Sequence, residues 1–417
     1  RSRIVQSVTT IVIGAGQAGL AMSRELSARG IEHLVLERGR PGESWRRRRW
    51  ENLRLLTPNW SNGLPGAPYW GPAPTAFMTG REFLGRVETY ARQVSAPVVE
   101  ETEVLSVRAG EEGYRLETST GPYRCRMLVL ANGSCERPTI PACAARLPKC
   151  IAQTVPTSFR RADDLPRGGV LVVGASASGV QLASEIHASG RPVRLAVGSH
   201  VRLPRRHRGR DIEWWLDAIG ALDERYDDVD DVERVRATPS PQLTGWADPV
   251  DLRALQARGI EIVGRLMEIR DGRALFSGGL AHVCAAADLK AARLLARIDD
   301  WIADTMPSSP LPPGGSLPPT PVAEHPRLEL DFRSGEIASV VWATGFKPDY
   351  SWLDLPVFDR RRRLRHQGGV VQGAPGIYAL GLPFLRRRRS SFISGVGADA
   401  RDLATHLERH LHQRTAA

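Results

Sequence analysis

Thr9-Thr10-Ile11-Val12-Ile13-Gly14-Ala15-Gly16-Gln17-Ala18-Gly19 runs an apolar, β-branched segment directly into the pattern G-x-G-x-x-G. A helix-compatible stretch from Ala18 to Arg29 follows, and Gly30 stands where a helix C-cap belongs. His33 to Leu36 then reads as a second strand, ended by Glu37. Each part has a physical task. Gly14 makes the tight turn, Gly16 lets a pyrophosphate approach the backbone, and Gly19 allows close packing of helix on strand. The helix N-terminus offers free N–H groups and a positive dipole end to phosphates. Glu37, at the tip of the second strand, can accept hydrogen bonds from the ribose hydroxyls of an adenosine.

The unit recurs. Val170-Leu171-Val172-Val173 leads into Gly174-Ala175-Ser176-Ala177-Ser178-Gly179, a helical run to Ala188, Gly190, and a second strand from Val193 to Val197. A shift of 160 positions lays Gly14 on Gly174, Gly19 on Gly179 and Gly30 on Gly190 without a gap. Two copies of one βαβ nucleotide-binding unit are therefore expected. Glu37 falls on Val197, so the second copy lacks the ribose-binding acid, and Arg202, Arg205, Arg206 and Arg208 lie just beyond it. A carboxylate repels a 2′-phosphate, whereas guanidinium binds it bidentately. The first site is thus expected to take FAD and the second NADPH. Ser176 replaces the second glycine and leaves less room at the pyrophosphate.

With 417 residues the chain is long for one core and comfortable for two domains. No apolar run approaches the length of a membrane span, and Arg1 to Val8 has no apolar core of a secretory signal. Residues 1–8 are expected to be a non-native leader outside the fold. The net charge of +11 raises the question of nucleic acid, but only three basic residues are lysine (Lys149, Lys290, Lys347). The arginine runs 46–49, 360–363 and 386–389 fall in different elements, which reads as solvated surface and not as a nucleic-acid face. Five cysteines (125, 135, 143, 150, 284) form no closely spaced pair, the pattern of reduced thiols in a cytoplasmic protein and not of a redox disulfide. No Cys/His cluster has metal-ligand spacing, so no metal is expected.

Between the two units, four tryptophans (45, 50, 60, 70) sit in a turn-rich segment suited equally to lining a cofactor ring and to covering a core edge. Thr79 to Gln93 reads as a helix. Leu105–Arg108, Tyr114–Thr118 and Tyr123–Arg126 fit a small antiparallel insertion. Met127 to Leu130 is a wholly apolar strand ending in Ala131-Asn132-Gly133, and Val340 to Phe346 ends the same way in Ala343-Thr344-Gly345. Pro307 to Pro321 cannot hold regular structure. A last helix, preceded by Gly395, Gly397 and Asp399, offers another N-terminus to a phosphate or a flavin edge.

These residues together give the chain a resemblance to the two-dinucleotide-binding-domain flavoproteins, and within them to the class B flavin-dependent monooxygenases. The resemblance is carried by Gly14, Gly16 and Gly19 with Glu37, by Gly42-Glu43-Ser44-Trp45 in place of G-G-x-W, and by Asn132-Gly133. Gly174 and Gly179, with Ala343-Thr344-Gly345-Phe346, complete it. It implies an α/β fold of two Rossmann-like domains, the FAD domain discontinuous and bearing the β insertion. The expected bounds are 9–147 and 331–417 for the FAD domain and 148–330 for the NADPH domain. It implies that NADPH reduces FAD, that O2 adds to the reduced flavin as a C4a-(hydro)peroxyflavin, and that a small nucleophilic substrate is oxygenated, at an amine nitrogen or a sulfur. N-hydroxylation in bacterial secondary metabolism fits that chemistry.

Asn59 in Thr57-Pro58-Asn59 resembles the family's flavin-facing asparagine and is the catalytic candidate. The expected cofactor-binding set is Gly14, Gly16, Gln17, Ala18, Gly19, Glu37, Arg38, Ser44, Trp45, Asn132, Gly133, Gly174, Ser176, Ser178, Gly179, Arg202, Arg205, Arg206, Thr344, Gly345 and Asp399. The family's F-x-G-x-x-x-H-x-x-x-Y/F/W motif is absent: Lys149, Ile151 and Val155 occupy its first three positions and only Phe159 matches. That departure keeps open an NADPH-dependent flavin reductase without oxygen insertion and a degenerate FAD-binding protein. Expected partners are a small-molecule substrate and O2, without nucleic acid or membrane, with a homodimer left open. Residues 45–75, 205–250 and 383–394 should shape the pocket, and their arginines point to an acidic substrate.

Overall fold

The computed structural model describes residues 4–246 and 248–415. Its centre is a sheet in which four parallel ladders join Ile377–Ala379, Gly121–Leu130, Gln6–Ile13, His33–Leu36 and Val98–Val99, in that order. Two short antiparallel strands, His366–Gln367 and Val370–Val371, extend its far edge. The insertion strands Val104–Gly110 and Gly113–Thr118 pair antiparallel with each other, and Gly113–Thr118 also pairs antiparallel with the first half of Gly121–Leu130. The second sheet is wholly parallel: Glu261–Gly264, Val193–Val197, Gly169–Val173, Ile337–Trp342 and Ala152–Thr154. Gly169–Val173 is buried along its whole length, as a strand covered on both faces must be.

The expected α/β class with two dinucleotide-type domains is observed, but two of the expected boundaries move. Gln6, Ser7 and Val8 pair with Tyr123, Arg124 and Cys125, and Val8 packs against the first core, so residues 6–8 lie inside the fold and not outside it. Residues 1–3 lie outside the described residues. The second correction concerns residue 331. Ile337–Trp342 sits between Gly169–Val173 and Ala152–Thr154, and Glu329–Asp331 pairs with Arg273–Phe276. The second domain therefore continues to Trp342. The chain returns to the first domain through Phe346–Lys347, which pairs antiparallel with Arg137–Pro138, the segment by which it left. Exit and return form one two-stranded ribbon.

Helices pack where their apolar spacing directs them. Gly80–Gln93 is started by a capping box: Thr79 Oγ1 accepts from Glu82 N–H at 3.1 Å, and the Glu82 carboxylate accepts from Thr79 N–H at 2.6 Å. The 26-residue helix Leu280–Thr305 buries positions 280, 284, 287, 291, 295, 298 and 302, steps of three or four that make one stripe. Its first half joins the second-sheet core through Leu280 and Cys284. Its second half, through Leu295, Ile298 and Ile302, builds a satellite cluster with Ile212 and Trp215. That cluster fixes the short helix Ile212–Ala218, and Trp215 Nε1–H donates to the His207 carbonyl at 2.7 Å.

Glycine substitutions separate tight from open backbone. A Cβ on Gly19 would lie 1.8 Å from the Gly14 carbonyl oxygen, while one on Gly85, in the Gly80–Gln93 helix, meets nothing within 4 Å. Gly19→Ala should cost about 1–3 kcal/mol or more through overpacking of rigid backbone, and Gly85→Ala should add about 0.5–1 kcal/mol. Urea titrations of the two variants check both signs.

Candidate functional site

The two glycine turns are the same object built twice. Gly14 has φ +103° and Gly174 +107°. Gly16 (φ −82°, ψ −174°) and Ser176 (φ −80°, ψ −175°) precede their helices in the same conformation. A Cβ on Gly14 would lie 2.4 Å from the Ala131 oxygen, and one on Gly174 2.1 Å from the Ala343 oxygen. The expected likeness of Ala131-Asn132-Gly133 to Ala343-Thr344-Gly345 is thus a shared contact: each strand end presses on the glycine turn beside it. Around Gly16 a Cβ would meet nothing within 4 Å, which leaves the open backbone face that a pyrophosphate needs. Gln17, Ala18 and Ser178 stand on the first turns of the two helices.

In the first domain Glu37 is buried, 7% exposed, and closes the turn from the side. Its carboxylate accepts from Ala15 N–H and Gly39 N–H, both at 2.9 Å, one on each oxygen. Each oxygen keeps a lone pair, so ribose hydroxyls still have acceptors. Gly42, at φ +76°, donates its N–H to the Ala15 carbonyl and starts the short helix Glu43–Arg47. This brings Ser44 and Trp45 beside the turn. Trp45 Nε1–H donates to Gln17 at 3.2 Å, and its ring meets Phe83 edge-on at 4.7 Å. These residues fit a flavin dinucleotide. Asn132 and Arg38 are tied to each other's surroundings: the Asn132 amide donates to Glu136 and to the Asp349 carbonyl, and Arg38 pairs with Glu136 at 3.0 Å. Burial raises the Glu136 carboxyl. Gly133 and Gly345 are left-handed and open, and Thr344 Oγ1–H donates to the Thr139 carbonyl.

The arginines expected at a 2′-phosphate are not gathered there. Arg202 is 2% exposed and committed to Asp251 at 3.0 Å, Asp288 at 2.8 Å and the Pro318 carbonyl. Arg205 grips Asp211 with two 2.8 Å hydrogen bonds. It also donates to the Leu56 and Thr244 carbonyls and lies over the Phe77 ring, which pins the first domain to the second. Their acids lie far away in sequence or inside the next turn, so the run 202–208 looked free when read alone. Arg206 is exposed, with one donation to Gly209. The groups that do stand past the end of Val193–Val197 are Ser199 and Arg265, both exposed, joined by a 3.2 Å hydrogen bond. Arg265 was missed because it follows the neighbouring strand Glu261–Gly264. The parallel pairing of Val197 with Gly264 was the only signal that could have found it.

A third feature is a cavity of about 390 Å³ where three segments meet. Trp60 to Pro68 forms one wall, Glu213 and Asp217 another, and Ile393 to Ala398 at the start of the C-terminal helix a third. The three stretches expected to shape a pocket do converge. Asn59 stands next to this wall, buried, its amide donating to the Ala73 carbonyl at 2.9 Å and its Oδ1 buried without a partner. Asp399 is fully buried and paired with Arg387 at 2.7 Å, while its second oxygen has no partner.

The arginines 386–389 of this region are all ion-paired within the protein. Arg386 and Arg387 pair with Asp402, Arg388 with Glu224, and Arg389 with Asp217 and Asp223. Glu213 went unnoticed in the sequence. It is 6% exposed, its N–H donates to the capping Asp211, and burial pushes its carboxyl up to about 7 against the neighbouring Ser61 hydroxyl and the charges of Arg205 and Arg389.

Comparisons with known proteins agree with this architecture. The profile of the family described as "Pyridine nucleotide-disulphide oxidoreductase" matches residues 11–219. An uncharacterized CzcO-like oxidoreductase of Geobacillus kaustophilus is 30% identical over 406 residues, covering 97% of this chain and 99% of that protein. The indole-3-pyruvate monooxygenase YUCCA4 of Oryza sativa subsp. japonica is 25% identical over 98% of this chain and 89% of its own. Among solved structures, a flavin-containing monooxygenase from Stenotrophomonas maltophilia superimposes with a TM-score of 0.69 at 17% identity, over 98% of this chain and all of that one.

The placement of Arg202 yields a direct test. Arg202→Ala leaves Asp251 and Asp288 facing each other without their shared cation. Removing one partner of a buried ion pair costs about 3–5 kcal/mol, so the urea midpoint should fall accordingly, with the same deficit whether or not a pyridine nucleotide is present.

Proposed function

The chain is a two-domain flavoprotein of the pyridine nucleotide-disulphide oxidoreductase family, and from that premise we propose that it is an NADPH-reduced, FAD-dependent monooxygenase of a small nucleophilic substrate. The observation that carries the reading is the asymmetry of two otherwise equal turns. One ends in the buried carboxylate of Glu37, the other in the Ser199–Arg265 pair. A carboxylate suits the free ribose of FAD, and a hydroxyl with a guanidinium suits a 2′-phosphate.

Gly14, Gly16, Gln17, Ala18 and Gly19 would hold the FAD pyrophosphate on the first helix N-terminus, with Glu37 on the ribose and Ser44 and Trp45 over the dinucleotide. Arg38, Asn132 and Gly133 keep the neighbouring strand end in place. Gly174, Ser176, Ser178 and Gly179 would hold NADPH, with Ser199 and Arg265 at its 2′-phosphate. Thr344 and Gly345 form the floor beside that turn, and Arg202 and Arg205 brace it from behind. When bound and reduced, FAD supplies the reaction with O2. The chain's own part is to orient and to exclude water. Arg205 locks the two domains together, Trp60 and the C-terminal helix wall the cavity, and Asn59 Oδ1 is a buried acceptor for an N–H of cofactor or substrate. Asp399 holds the start of the C-terminal helix through Arg387.

A second reading, a flavin reductase without oxygen insertion, is favoured by Val155. It stands where the related enzymes carry histidine and packs against the hydrophobic core. A disulfide reductase is disfavoured by Cys125 and Cys284, whose thiols burial pushes up to about 12 and about 11, away from reactive thiolate.

Two measurements test this. Rapid mixing of the NADPH-reduced holoenzyme with oxygenated buffer should give a long-lived absorbing species before the oxidised flavin returns. Immediate return with stoichiometric peroxide selects the reductase, and no bleaching by NADPH refutes both. Arg265→Ala should raise the KM for NADPH about tenfold, a loss of about 1.4 kcal/mol, and leave the KM for NADH within about twofold.

A further inference from the structure

Among the described residues the cavity of about 390 Å³ has one buried ionisable wall group without an ion pair, and it is an acid. Asp217 and Arg389 also line it, but they pair with each other, and Arg389 holds Asp223 as well. Arg401, on the C-terminal helix, is exposed, where water screens its charge. Glu213 is different. It is 6% exposed, has no ion pair among those found in the described residues, and lies near Ser61, the residue across the cavity from its helix, whose hydroxyl donates to the Pro58 carbonyl at 2.9 Å. Arg205 is turned to Asp211, one turn back. A second polar group of the same cavity is also unsatisfied: Ser394 Oγ is buried without a partner. A buried carboxyl beside an aromatic wall (Trp60) and a free hydroxyl is a receptor for a donor-rich cation, because a carboxylate in a dry pocket gains most from a charged hydrogen-bond donor.

We propose that Glu213 makes this cavity selective for a small cationic ligand, a protonated amine or amidine, and that the carboxyl gives up its proton to solvent as the ligand enters. The O–H bond of the acid breaks, the proton leaves to buffer, and the resulting carboxylate accepts hydrogen bonds from the ligand's N–H groups, with Ser394 able to contribute another contact. Asp211, on the same element, disfavours the ionised form, and Arg205 and Arg389 favour it. The ligand's charge adds to the second pair and tips the balance. This inference rests on the cavity being the substrate site of the proposed oxygenase, where a bound ammonium becomes a nucleophile only by passing its proton to the Glu213 carboxylate, the N–H bond breaking as the O–H bond forms; binding is read without turnover.

The test is calorimetric titration of the oxidised holoenzyme with benzylammonium, benzyl alcohol and benzoate from about pH 6 to about pH 8, a range in which the ammonium stays charged. Benzylammonium should bind about tenfold or more tighter than either analogue at the upper end. Its affinity should fall as the acid is protonated, because the carboxyl is ionised only above about pH 7. Near the midpoint, buffers of different ionisation heat should report protons released on binding. Glu213→Gln keeps the shape and should bind benzylammonium and benzyl alcohol alike, without pH dependence. Tightest binding of benzoate, or full selectivity retained in Glu213→Gln, overturns the proposal. Direct flavin reoxidation without a transient species would overturn the oxygenase reading and leave these affinities untouched.

Discussion

The structure depends on a backbone contact that only glycine permits. At each dinucleotide turn the left-handed glycine, 14 or 174, has the carbonyl of the next strand end, Ala131 or Ala343, at a distance where no Cβ can stand. The second tight glycine, 19 or 179, lets the helix settle on the carbonyl of the first. Strand, turn, helix and neighbouring strand are thereby locked in one arrangement, and the helix N-terminus is aimed past the sheet edge. Every later feature of the site is positioned against those two fixed points. Glu37 fastens to the Ala15 N–H, Gly42 to the Ala15 carbonyl, and Gln242, buried, to the Ala175 carbonyl of the second turn.

This constraint explains which parts were legible in the sequence. Backbone geometry is written locally: a φ near +105° at Gly14 and Gly174 demands the same residue in both copies, so a fixed offset of 160 positions exposed the duplication. The helix started by Thr79 and the insertion strands were readable for the same reason, from caps, turns and alternation. The boundary near 331 was not. Ile337–Trp342 is apolar but for Ser339, and a buried parallel strand reads identically whichever of two sheets it enters. Only its partners, Gly169–Val173 and Ala152–Thr154, assign it.

Charge was the least legible property. The run 386–389 looks in sequence like a free basic patch, and its counter-ions come from Asp217, Asp223, Glu224, Asp399 and Asp402. Arg202 finds its aspartates 49 and 86 positions away. Such pairs are made by topology, and composition records neither their existence nor their burial. Several of them also couple the halves of the molecule. Arg205 carries the Leu56 carbonyl to the Asp211 that caps Ile212–Ala218, and Arg389 ties the same helix to the segment before the C-terminal helix. The walls of the cavity are therefore held by ion pairs between segments that the sequence keeps far apart.

Net charge and local field then part company. The chain carries 57 basic and 46 acidic residues, an excess that acts over a Debye length in salt and governs solubility and encounter. Inside a cavity only a few ångströms matter, and there a paired arginine presents a dipole while a lone buried acid presents a whole charge. The buried part of the cavity bears a paired arginine and an unpaired acid, with Arg401 at the exposed rim, so the preference of its interior runs opposite to that of the surface around it. Burial also sets the form that acid takes. With nothing bound, the cost of desolvation keeps the Glu213 proton up to about pH 7, and the cavity is near neutral and stable. A lone buried carboxylate would have cost several kcal/mol. A group that is neutral when empty and charged when filled lets a cavity bind ions without paying that cost in the folded, unliganded protein.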